Sequence, residues 1–106
     1  MTTAKRPNVL CIITDQHRAD HVGFMGNGVV RTPHLDGLAA RGMVFENAWV
    51  SNPVCTPNRC TMMTGRLPSA HGVIFNDRSL PPNANTFARV LGQAGWRTAL
   101  IGKSHL

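Results

Sequence analysis

The 106-residue sequence predicts an α/β fold, a mostly parallel sheet flanked by helices, on two observations. Short, β-branched and largely apolar runs, NVLCIIT (Asn8 to Thr14) and WRTALI (Trp96 to Ile101), suit strands covered on both faces. Between them lie segments with helical spacing and helix punctuation, so strand and helix alternate along the chain.

The first run stops at Asp15. A helix is expected from Thr32 as its cap, with Pro33 at the first position, Asp36 in the first turn, and Leu35, Leu38 and Ala39 recurring before Gly42. The connection between, DQHRADHVGFMGNGVVR, is long, and such connections are more often functional than idle. Gly23, Gly26 and Gly28 would let its backbone turn closely around something bound. MVFENAWV, Met43 to Val50, reads as a further strand. Pro57 then opens a helix with the body NRCTMMTG, stopped by Gly65, which puts Cys55 at or just before the helix N-terminus. A clearer helix runs from about Asn85 to Ala94, with Phe87, Val90, Leu91 and Ala94 on one face and Gly95 ending it before WRTALI.

Composition bounds the function. With 42% apolar residues the chain can bury one modest core as a single domain. Eleven Lys and Arg against five Asp and Glu give a charge of +6, which suits anionic substrates. The basic residues are scattered from Lys5 to Lys103 and Tyr is absent, which argues against nucleic acid. Cys11, Cys55 and Cys60 form no CxxC pair, so neither a disulfide framework nor a zinc knuckle is suggested, and Cys11 and Cys60 read as small buried hydrophobes. The apolar run near the N-terminus meets a carboxylate where a leader would need a cleavage site, and no stretch is long enough to span a membrane. A cytoplasmic protein is the expectation.

In a parallel sheet the strands end at one edge, and ligands bind outside those carboxyl ends. Asp15 and Gln16 follow the first strand, and Gly102, Lys103, Ser104 and His105 follow the last. One sheet would bring a carboxylate, a Lys and a His to one edge, where Cys55 can join them. The helix N-terminus behind Cys55 would offer backbone N–H donors to an anion, and Arg59 adds a fork of donors. Oxygen ligands from Asp15, Gln16 and a polar group derived from Cys55 would suit calcium, magnesium or manganese. Lys103 and His105 could reach a tetrahedral anion. The expected chemistry is hydrolysis of a charged ester.

The segment NPVCTPNRCTMMTGR, Asn52 to Arg66, resembles the sulfatase signature Cys-x-Pro-x-Arg followed by Thr-Gly-Arg. PNVLCIITDQ is similar to the family's opening strand and metal-binding turn, RTPHLDGLAARGMVFENAWV to its next helix and strand, and GKSHL to its GKWH loop. The resemblance is to the formylglycine-dependent sulfatases of the alkaline phosphatase superfamily, which also contains phosphonate monoester hydrolases. It implies an alkaline-phosphatase-like α/β fold, of which residues 1–106 are the N-terminal portion of the catalytic domain, with further metal and catalytic residues contributed elsewhere. The segment alone is then expected to be inactive and to expose apolar faces.

That resemblance implies that Cys55 is converted to Cα-formylglycine by a formylglycine-generating enzyme, the Pro57 and Arg59 positions serving its recognition. One hydroxyl of the hydrated aldehyde attacks sulfur, and the other later expels the sulfated intermediate, a step a thiol cannot perform. Asp15, Gln16 and the modified Cys55 would hold the metal, calcium first and magnesium or manganese as alternatives. Arg59 would orient the hydrate, Lys103 would bind a nonbridging ester oxygen, and His105 would contact the sulfate or the leaving-group oxygen. Asn58 and Ser104 depart from the usual small residue and Trp. The implied substrate is a small-molecule or saccharide sulfate ester. No nucleic acid or membrane partner is implied, and the oligomeric state stays open. Two other readings stand beside it: a phosphonate or phosphate ester hydrolase, and an inactive basic segment that binds an anion or a partner.

Overall fold

The structure, a computed structural model, describes residues 6–106. Part of the N-terminal segment read for a leader, Met1 to Lys5, lies outside the described residues. The chain forms two compact units, Met1–Asn47 and Ala48–Leu106.

In the first unit, helix α1 spans Pro33–Ala39. Pro33 opens it because its fixed φ suits the first turn and its missing N–H costs nothing there. Thr32 occupies the cap position, but its hydroxyl accepts from the Gly23 N–H at 2.8 Å and donates to Asp36 Oδ1 at 2.8 Å. Asp36 Oδ1 also accepts the Phe24 N–H at 2.9 Å, so α1 holds a 3-10 turn, Gly23–Met25, against itself. A Cβ on Gly23 would lie 2.5 Å from Asp36 Oδ2, so a larger residue there would have to displace the Asp36 carboxylate from these bonds. Asn27 closes the same connection, donating to the Asp20 carbonyl at 2.7 Å and accepting from the Val29 and Val30 N–H groups. The long connection therefore wraps its own side chains. On its exposed surface Arg18 and then His21 bond the Asp20 carboxylate and hold it well below the usual carboxylate range. An ion pair so open to water adds little stability.

The second unit is built on helix α2, Cys55–Thr64, which buries Thr56, Pro57 and Cys60 and ends at Gly65 in the left-handed region with φ +66°. Two shorter helices pack on it: α3, Pro68–His71, and α4, Phe87–Gln93. The Thr86 hydroxyl caps α4 by accepting the Arg89 N–H at 3.2 Å. The expected helix from about Asn85 to Ala94 is thus present with frayed ends, and the four-residue α3 was not foreseen.

The expected sheet is not formed: among the described residues there is no strand, and Asn8–Thr14, Met43–Val50 and Trp96–Ile101 carry no ladder pairing. A parallel strand takes its hydrogen bonds from neighbours and its burial from layers on both faces, and here these runs stay open to solvent. Leu10 is 84% exposed, Trp49 90% and Ile101 97%. Cys11, expected to be buried, is also exposed. Much apolar surface in these runs is therefore uncovered.

Candidate active site

Cys55 is the first residue of α2 and is half-buried. The turn that carries it is held from outside the helix. Asn76 Oδ1 accepts the Thr56 N–H at 2.9 Å, and Asn52 Oδ1 accepts the Val54 N–H at 2.8 Å while its Nδ2 donates to the Ile74 carbonyl at 3.4 Å. Pro57, at the third position, has no N–H to give. The helix N-terminus was expected to offer backbone donors to an anion; Asn76 already takes that of Thr56. Cys60, fully buried, packs as the small hydrophobe it was read as, and burial pushes its thiol up. Cys55 is half-buried at the helix start, and Cys11, in the first unit, is exposed.

Arg59 follows Cys55 by four residues and so shares its face of α2. Its Nη1 donates to the Lys103 carbonyl at 3.0 Å across 44 residues of chain. The motif Cys-x-Pro-x-Arg and the loop GKSHL are thereby joined in one unit. That loop bends at Gly102, φ +100°, and at His105, φ +50°. Gln16, φ +49°, and His105 are the non-glycine residues with left-handed backbone among the described residues, and both belong to the expected site. A side chain costs about 1–2 kcal/mol there, and such strain gathers at functional positions. His105 is half-buried, with its Nδ1 enclosed and unmatched by any hydrogen bond. Lys103 is exposed.

Asp15 and Gln16, both exposed, belong to the first unit; Cys55, Arg59, Lys103 and His105 belong to the second. Among the described residues no group of three or more His, Cys, Asp or Glu gathers to hold a metal ion. Asp15 and Gln16 are the right donor types for a hard cation. They are an incomplete set.

Two features were not read from the sequence as parts of a site. Asn52 and Asn76 are one kind, and their only signal is the general taste of Asn for caps and turns. A cavity of about 280 Å³ is another, lined by Thr64, Arg66, His71, Asn83 and Asn85 among others, toward the far end of α2 from Cys55. His71 has a structural role in the same unit. Its Nδ1 accepts the Val73 N–H at 3.1 Å, so in the neutral ring Nε2 carries the proton and donates to Thr61 Oγ1, 3.1 Å away. His71→Ala should therefore lower stability by about 1–2 kcal/mol by unpairing half-buried groups, while kcat per folded molecule changes less than about threefold. Denaturant titration beside active-site-normalised kinetics checks both halves.

The sulfatase family model matches residues 7–106. The chain belongs to the sulfatase family. Among its relatives are the ulvan-active sulfatase of Formosa agariphila, 42% identical over 95% of this chain, and the N-acetylglucosamine-6-O-sulfatase of Bacteroides thetaiotaomicron, 34% identical over 96%. The steryl-sulfatase of Homo sapiens is 37% identical over 97%. The sulfatase segment spans 20%, 18% and 20% of those proteins, about a fifth of their length. No solved structure matches it. Membership supports hydrolysis of sulfate esters in general.

Proposed function

We propose that this sulfatase segment supplies the nucleophile and part of the anion-binding loop of a sulfuric ester hydrolase, with Cys55 converted to Cα-formylglycine. The observation that carries the reading is the Arg59 to Lys103 hydrogen bond, which fastens the turn after Cys55 to the loop bearing Lys103 and His105. Asp15 and Gln16 would supply oxygens to a divalent cation, calcium ahead of magnesium or manganese, with the remaining ligands contributed outside this segment. In the complete domain these loops lie at the carboxyl ends of an alkaline-phosphatase-like parallel sheet.

When present, the hydrated aldehyde supplies an oxygen nucleophile and the cation supplies charge neutralisation. The chain's own residues do the rest. The Lys103 ammonium binds a nonbridging oxygen of the ester, Arg59 neutralises charge beside residue 55, and His105 contacts the leaving-group oxygen. The three relatives are named for ulvan, for an N-acetylglucosamine 6-O-sulfate and for a steryl sulfate, yet they resemble this segment at 42%, 34% and 37% identity. What they share is the sulfate ester, so this segment reads the sulfate and not the group that carries it.

The test is to express the full-length protein beside a formylglycine-generating enzyme, map its cysteine peptides by mass spectrometry and assay aryl and saccharide sulfate esters with and without a chelator. Cys55 alone should be found as the aldehyde, with turnover that a chelator removes. Cys55 remaining wholly a thiol, with no sulfate ester cleaved, would overturn the reading.

A further inference from the structure

We propose that Asn76 is a positioning residue for the nucleophile at position 55. The inference rests on the sulfatase reading above. Thr56 is 2% exposed, so its backbone N–H cannot find water, and as an early residue of α2 it has no partner inside the helix. Asn76 Oδ1 supplies that partner at 2.9 Å from 20 residues away. Asn52 holds the approach to Cys55 in the same way, bonding Val54 on its own strand of chain and the Ile74 carbonyl on the other. Segments 52–56 and 74–76 therefore run side by side with Cys55 between the two bonded amides of Val54 and Thr56, and Val73, 2% exposed, anchors the second segment in the core.

The geometry has a direct consequence. Residue 55 is joined to the amide that Asn76 grips, so that bond restrains the backbone that carries its side chain at the start of α2. Asn76 is itself exposed, so without it only water entering from the surface can replace the bond to the Thr56 N–H, and the first turn of α2 loses its fixed partner. A nucleophile displaced by about 1 Å loses about 10²-fold in rate. Asn76 also excludes anions from that amide, leaving the sulfate to Lys103, Arg59 and His105.

Three chains of the full-length protein distinguish the possibilities: wild type, Asn76→Ala and Asn76→Asp, each coexpressed with a formylglycine-generating enzyme, with the fraction of modified Cys55 measured by mass spectrometry and kinetics on an aryl sulfate expressed per modified site. Asn76→Ala should lower kcat about 10- to 100-fold with KM changed less than about threefold. Asn76→Asp keeps the acceptor and adds a negative charge, so kcat should return to within about threefold of wild type while KM for the anionic ester rises severalfold. The proposal is overturned if Asn76→Ala keeps the wild-type kcat per modified site, or if Asn76→Asp loses as much kcat as Ala does. If Asn76→Ala fails to fold, the kcat of the Asp variant decides alone. A wild type that is fully modified and inactive on sulfate esters refutes the sulfatase reading itself, whatever the variants do.

Discussion

Cys55→Ala in the full-length enzyme should remove sulfate ester turnover, with a fall in kcat on the order of 10⁴ to 10⁶, because the group that bonds to sulfur is gone. The fold should survive the change. The side chains that α2 buries are those of Thr56, Pro57 and Cys60, and the helix start is held through backbone amides by Asn52 and Asn76. Circular dichroism and thermal melting should match wild type while steady-state hydrolysis falls to background. The neighbouring Cys60→Ala makes the contrast: it removes a fully buried side chain and should lower stability with turnover retained. Normal hydrolysis by the Cys55→Ala protein would end the mechanism proposed here.

Lys103→Ala and His105→Ala should each cost roughly 10² to 10⁴ in kcat/KM, the range for losing one electrostatic or acid–base contributor. The backbone at both positions bears on how the substitutions read. Arg59 is held by the backbone carbonyl of Lys103, which alanine retains, so Lys103→Ala deletes the ammonium and leaves the joint between α2 and the loop. At His105 the backbone sits at φ +50°, where alanine is strained as histidine is, so the loss reports the imidazole and not a relaxed loop. Rates measured across pH separate the two, since removal of a proton-handling imidazole changes the profile's shape and removal of a fixed charge changes its height. Losses below about tenfold at both positions would mean that GKSHL lines the site without contributing to the reaction.

Local chemistry made the helices legible. Pro33 marked the first residue of α1, Gly65 the end of α2 and Gly95 the turn after α4, because each signal is written in the residue that performs it. The strands were not so written. A run such as Val9 to Ile13 states that cover is needed on both faces, and the residues that would provide it are not in the run. The site divides in the same way. Helix punctuation alone put Cys55 at or just before the N-terminus of α2, whereas the Arg59 bond to Lys103 spans 44 residues and the Asn76 bond to Thr56 spans 20, distances over which no periodicity speaks. Asn76 in particular looks like any loop asparagine until the amide it satisfies is seen.

The left-handed backbone at Gln16 and His105 sets a trade between durability and activity. Glycine at either position would relieve about 1 kcal/mol or more of conformational cost, so a library screened only for heat tolerance would enrich for it. The hardiest survivors of such a screen would be those that had given up an imidazole and an amide at the proposed site, and laboratory evolution toward the proposed hydrolysis has to select for turnover in every round.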